Sequence, residues 1–102
     1  MNEQDQFEYE IWCAYQELTM DDVCNCIQDS PAILRAIHNN NFKDVAELVK
    51  HRVDRSVKRL AEYRMYGNYK SPETDPEKEM LDYKKLISDR INNRIDQFRS
   101  FQ

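Results

Sequence analysis

Residues 42–67 read FKDVAELVKHRVDRSVKRLAEYRMYG, and this stretch decides the fold. Apolar side chains at Phe42, Val45/Ala46, Val49, Val53, Val57 and Leu60/Ala61 recur three and four residues apart, the period of one face of an α-helix. No Pro or Gly interrupts the run until Gly67, the single glycine of the chain. Gly67 stands where a left-handed residue closes a helix, and Asn68 supports the stop. The spacing predicts a helix over 42–66, about 35 Å long.

Towards the C-terminus, residues 67–75 read as a loop carrying Tyr69, Ser71, Pro72 and Thr74. Thr74 or Asp75 is placed to cap the next helix, Pro76 suits its first turn, and Thr74 with Glu77 spells a capping box. Met80, Tyr83, Ile87, Ile91, Ile95 and Phe98 then form a second long stripe and predict a helix over 76–99. Two long helices of equal reach joined by a short loop predict an antiparallel hairpin. Leu81, Leu86 and Phe101 widen the apolar surface beyond what one neighbour needs, which predicts a homodimer through the 76–99 helix.

Towards the N-terminus, Asn39-Asn40-Asn41 breaks the pattern. Ser30-Pro31 opens a short helix that should turn Ile33, Leu34 and Ile37 inward. Thr19 caps another, with Asp21 and Asp22 in its first turn and Val23, Cys26 and Ile27 on its apolar side. Phe7, Ile11, Ala14 and Leu18 mark a helix over 4–18. The expected architecture is one all-α domain of about five helices. An acidic short-helix part, 1–41, flanks a long C-terminal hairpin, 42–102.

A chain of 102 residues with 40% hydrophobic content has room for one domain and enough apolar material to fold, which excludes a disordered tail. One glycine excludes Gly-rich phosphate loops. Three cysteines do not make a disulfide framework and point to a reducing, cytoplasmic setting. No apolar run approaches the roughly 18 residues of a membrane span, and no secretory leader is evident. Cys24-x-Cys26 near Cys13 and His38 lacks the Cys-x-x-Cys spacing of a zinc knuckle, and residues two apart on a helix diverge, so the thiols read as small hydrophobes and no metal or cofactor is expected. His38 and His51, the only histidines, lie at no recognised spacing from a Ser or Cys nucleophile. The reading is of a chain that is not an enzyme.

Charge is distributed unevenly. Residues 1–30 carry eight acids and no Lys or Arg, residues 31–70 sum to +5, and residues 71–102 to −1, giving −4. Such asymmetry marks either an acidic recognition face or opposite charges that meet within one fold. The segment Thr19–Asn39, TMDDVCNCIQDSPAILRAIHN, resembles the helix-turn-helix of the lac repressor family in Thr19, Asp22-Val23, Ser30, Leu34, Ile37 and Asn39. Gln28 and Asp29 depart from that pattern, where the family has Gly and a buried apolar residue. The resemblance implies a second helix that enters the major groove with Pro31, Ala32, Arg35 and Ala36 at base-reading positions. With Lys43, Lys50, Arg52, Arg55, Lys58 and Arg59 of the basic helix, Arg35 forms the candidate nucleic-acid surface.

The stronger signal is aromatic. Tyr9, Trp12 and Tyr15 lie three apart and off the Phe7/Ile11/Leu18 line, and Tyr63, Tyr66 and Tyr69 cluster with Arg64 at the hairpin tip. Trp, Tyr and Arg dominate protein interfaces. These seven residues are the candidate partner-binding set of a protein-binding module of inhibitor or adaptor type. A compact, motif-poor chain with Asn-rich usage has the form of many small phage-encoded proteins that act on a host factor. Nucleic acid is the alternative partner.

Overall fold

The computed structural model describes residues 2–73 and 75–100. They form one small all-α domain of five helices: α1 (Glu3–Glu17), α2 (Met20–Gln28), α3 (Pro31–His38), α4 (Phe42–Tyr66) and α5 (Pro76–Ser100). Local chemistry sets the boundaries. The Asn2 side chain accepts the Asp5 N–H at 2.8 Å and starts α1. Thr19 and Asp22 form a reciprocal capping box at α2, the Asp22 N–H donating to Thr19 Oγ1 at 3.2 Å and the Thr19 N–H to Asp22 Oδ2 at 3.0 Å. Ser30 Oγ accepts the Ile33 N–H at 3.2 Å, and Pro31 occupies the first turn of α3. Asn40 turns the chain with φ of 58°, a conformation Asn tolerates better than most residues. Gly67 closes α4 with φ of 76°. At α5, Asp75 Oδ1 accepts the Glu77 N–H at 3.0 Å, whereas the expected Thr74 cap lies outside the described residues.

The core is organised around α3. Ala32, Ile33 and Ala36 have no exposed surface, and the ring of Tyr83 from α5 is buried against Ala32 and Ala36. Val45 and Leu48 of α4 and Met80, Leu86 and Ile87 of α5 pack around that contact. The expected inward trio is corrected in part. Ile33 is buried, but Leu34 and Ile37 are 46% and 40% exposed. Helix α3 touches α2, α4 and α5, and where it meets Tyr83 the small Ala32 and Ala36 let the ring approach, while Ile33 is buried as well.

The relation of α4 to α5 differs from a close hairpin seam. Among the described residues no Cα of α5 comes within 8 Å of one in α4, although closely packed helix axes lie about 8–10 Å apart. Long polar side chains bridge them instead. Arg52 Nη1 meets Glu79 Oε2 at 2.8 Å, Asn41 Nδ2 donates to the Tyr83 hydroxyl at 3.3 Å, and Arg90 pairs with Asp44 and, at 2.8 Å, with Glu47. These bridges join residues 41–52, at the start and first half of α4, to residues 79–90 of α5.

Helix α4 presents different faces to different neighbours. Its first half turns Asp44, Val45 and Leu48 toward α3 and α5, and its second half buries Val57 and Ala61 where α1 packs, with Ala14 buried opposite. Beyond Arg90, α5 runs free: residues 91–100 are exposed on every side. Leu86, expected at an outer surface, packs against the core, whereas Leu81 is exposed. The result is elongated, 57 × 30 × 23 Å.

Adjacent residues in α3 should therefore respond differently. Ile33→Ala is expected to cost about 3 kcal/mol and Leu34→Ala less than about 1 kcal/mol, read from urea unfolding midpoints. Equal losses would show that both side chains face the core.

Candidate functional site

The seven aromatic-set residues divide into two groups with different roles. On α1, Tyr9 and Trp12 stack with ring centroids 6.3 Å apart and remain 54% and 59% exposed, with Tyr15 beside them. At about 100° per residue, Tyr9 and Trp12 lie on the side of α1 that faces away from Phe7, Ile11 and Ala14, and Tyr15 lies at its edge towards Ile11. The intervening positions on that side are Asp5, Glu8 and Gln16, all exposed.

The second group is largely engaged within the fold. Arg64 pairs with Glu17, and the Tyr66 hydroxyl donates to Glu3, so both tie α1 to the end of α4. The Glu3 hydrogen bond also holds the Tyr66 phenol above its ordinary pKa. Tyr63 and Tyr69 stack at 5.2 Å, the Arg59 guanidinium lies 4.4 Å from the Tyr69 ring centroid, and Lys70 Nζ sits 3.7 Å from that of Tyr66. These contacts fold the 67–73 loop back onto α4. Among the described residues no ring of the α1 group stacks on one of the α4 group.

The basic set also separates. Arg52 is committed to Glu79, Arg55 Nη2 donates to the Pro72 carbonyl at 3.1 Å, and Arg59 lies under Tyr69. Lys43, Lys50, Lys58 and Arg35 are exposed. Ala32 and Ala36, at base-reading positions in the helix-turn-helix resemblance, are fully buried and cannot meet a base edge. Arg52, Arg55 and Arg59 line an open groove of about 710 Å³ whose other wall includes Glu17, Asp22 and Asp29. Part of the acidic first third thus faces the basic middle across this groove. His38 and His51 are both exposed, on separate helices. Cys13 and Cys26 are half-buried and Cys24 is exposed, and burial, partly offset by Arg52, raises the Cys26 thiol pKa.

Sequence reasoning missed Glu62, a buried carboxylate on α4. Its Oε2 accepts the N–H groups of Lys70 and Ser71 at 3.1 and 2.9 Å, and its Oε1 accepts Ser71 Oγ at 2.6 Å. The only signal was its position eight and nine residues before the loop it ties. Burial pushes the Glu62 pKa up, but the Ser71 hydroxyl, the two backbone N–H groups and nearby Arg59 outweigh it and hold the carboxyl below its usual value.

Comparison with known proteins finds no matching family model, no similar curated protein and no similar solved structure.

Because the folded pKa of Glu62 lies below the unfolded one, its contribution is complete above the ordinary carboxylate pKa of about 4.3 and fades as pH falls through the folded value. Thermal melts of Glu62→Gln and the unaltered chain should differ at pH 7 and converge in acid. A gap that persists unchanged into acid would contradict the tie.

Proposed function

We propose that this chain is a non-enzymatic protein-binding module, of inhibitor or adaptor type, that docks through the outer side of α1. The observation that carries the reading is the stacked, exposed pair Tyr9 and Trp12, set among Asp5 and Glu8 in a segment of 30 residues without Lys or Arg. Exposed Trp and Tyr on a rigid helix supply contact area at low entropic cost, and interface hot spots are enriched in both. The surrounding carboxylates define the partner's chemistry: an apolar groove or pocket with a basic rim. Charge of this kind steers encounter and selects the partner, while the rings supply most of the affinity. The arrangement is the helix-in-groove mode of recognition.

The reading is tested with a photo-crosslinking amino acid at Gln16, on the same side of α1, and a control at Lys78 on α5. The expected result is an adduct with one basic protein of the source cell, formed from position 16 only. Trp12→Ala should weaken binding to that protein by about thirty-fold or more, the size of a 2 kcal/mol hot spot. An adduct unaffected by Tyr9→Ala with Trp12→Ala would contradict it.

A further inference from the structure

The free end of α5 carries a surface complementary to the outer side of α1. Ile91, Ile95 and Phe98 fall within about 60° of one another around the helix axis. All three are exposed, Phe98 by 67%. Arg94 borders this stripe on one side and Arg99 on the other. The acids of the segment, Asp89 and Asp96, fall on the opposite side. Neither Arg94 nor Arg99 takes part in an ion pair among the described residues. The α1 surface presents the reverse combination, aromatic rings among Asp5 and Glu8.

Within one chain these surfaces do not meet: among the described residues α1 and α5 make no close backbone approach. Helix α1 is fixed to the far end of α4 through Glu17–Arg64 and Glu3–Tyr66, and α5 leaves α4 at Asp44 and Glu47. Asp44 and Arg64 are about 30 Å apart along α4, whereas residues 91–100 span about 15 Å. Pairing two α5 ends with each other would set their bordering arginines together, which disfavours that form of dimer.

We infer that a second copy of this chain covers the stripe: the basic apolar end of α5 docks on the acidic aromatic side of the partner's α1, in a two-fold dimer. Two copies laid side by side in opposite directions bring each α1 beside the other's α5 end, so both contacts form at once and the assembly closes. The inference rests on the reading of α1's outer side as a docking surface. It adds that this surface is covered when no target is present, so that a target must displace the second copy.

The test uses two charge-reversed chains. One carries Asp5→Lys and Glu8→Lys; the other carries Arg94→Glu and Arg99→Glu. All four positions are exposed, and circular dichroism verifies that the helices are retained. Light scattering at micromolar concentration should give twice the 12.3 kDa chain mass for the unaltered protein. Each reversed chain alone should give the monomer mass, because like charges then face each other at both contacts. An equimolar mixture should return to the dimer mass, since both contacts in the mixed pair are again complementary. Trp12→Ala, which leaves the charges intact, should shift the unaltered dimer toward monomer. A monomeric unaltered chain, a dimer that survives Asp5→Lys with Glu8→Lys, a mixture that stays monomeric, or a mass that grows without limit on concentration would each overturn the inference. In the crosslinking assay at position 16 a second copy gives an adduct of twice the 12.3 kDa chain mass and a target gives an adduct of another mass, so a monomeric result here leaves the docking reading standing.

Discussion

The burial of the Tyr83 ring against Ala32 and Ala36 is the contact on which the rest of the structure depends. Among the described residues helix α5 has no close backbone approach to α4, and its close backbone approach is to α3. The two alanines let α5 come near, and the aromatic ring fills the space they leave. Polar side chains then fasten the edges. Ser30 Oγ accepts the Ile33 N–H to cap α3 and donates to Glu79 Oε1 at 2.5 Å, and Arg52 reaches the other oxygen of the same carboxylate. One hydroxyl thus starts α3 and ties it to α5, and the carboxylate it meets ties α5 to α4. Arg90, with Asp44 and Glu47, makes the last attachment before α5 runs free.

Helix α4 separates the two ends of the molecule. One end holds α1 with its exposed rings and carboxylates; at the other, the apolar stripe of α5 emerges between arginines. Much of the remaining charge is used internally. Arg52, Arg55 and Arg59 serve α5, the 67–73 loop and the Tyr69 ring, and they share a groove with Asp22 and Asp29. This removes most of the arginines that a nucleic-acid surface on α4 would need, and it leaves the outer side of α1 as the acidic surface with exposed stacked rings.

What was legible in the sequence was what local chemistry decides. Thr19 with Asp22, Ser30 with Pro31, and Gly67 act within a few residues of themselves, so the helix boundaries could be read directly. Which side of a helix is buried depends on neighbours remote in sequence, and here the reading failed in specific ways. Leu34 and Ile37 have the right spacing for a core, but Ala32, Ile33 and Ala36 take the buried side of α3 and leave those two partly exposed. Ile91, Ile95 and Phe98 continue the stripe of Met80, Tyr83 and Ile87, yet α4 ends its contact with α5 at Asp44. For the same reason the aromatic set could be named but not divided: nothing near Arg64 or Tyr66 in sequence shows that Glu17 and Glu3 occupy them. The exposure of Tyr9 and Trp12 was legible because it follows from their offset from Phe7, Ile11 and Leu18 on one helix.

The central claim is that the size of the α3 surface sets the seat of α5, and a double-mutant cycle between Ala36 and Tyr83 tests it most directly. Ala36→Leu alone should crowd the ring, and Tyr83→Ala alone should leave a cavity beneath it. In the double variant the leucine enters the space the ring vacates. Urea unfolding should then show a loss smaller than the sum of the two single losses by about 1 kcal/mol or more, within the range seen for residues in direct contact. Losses that simply add would contradict the account, because they would mean that Ala36 and Tyr83 do not share one packing site.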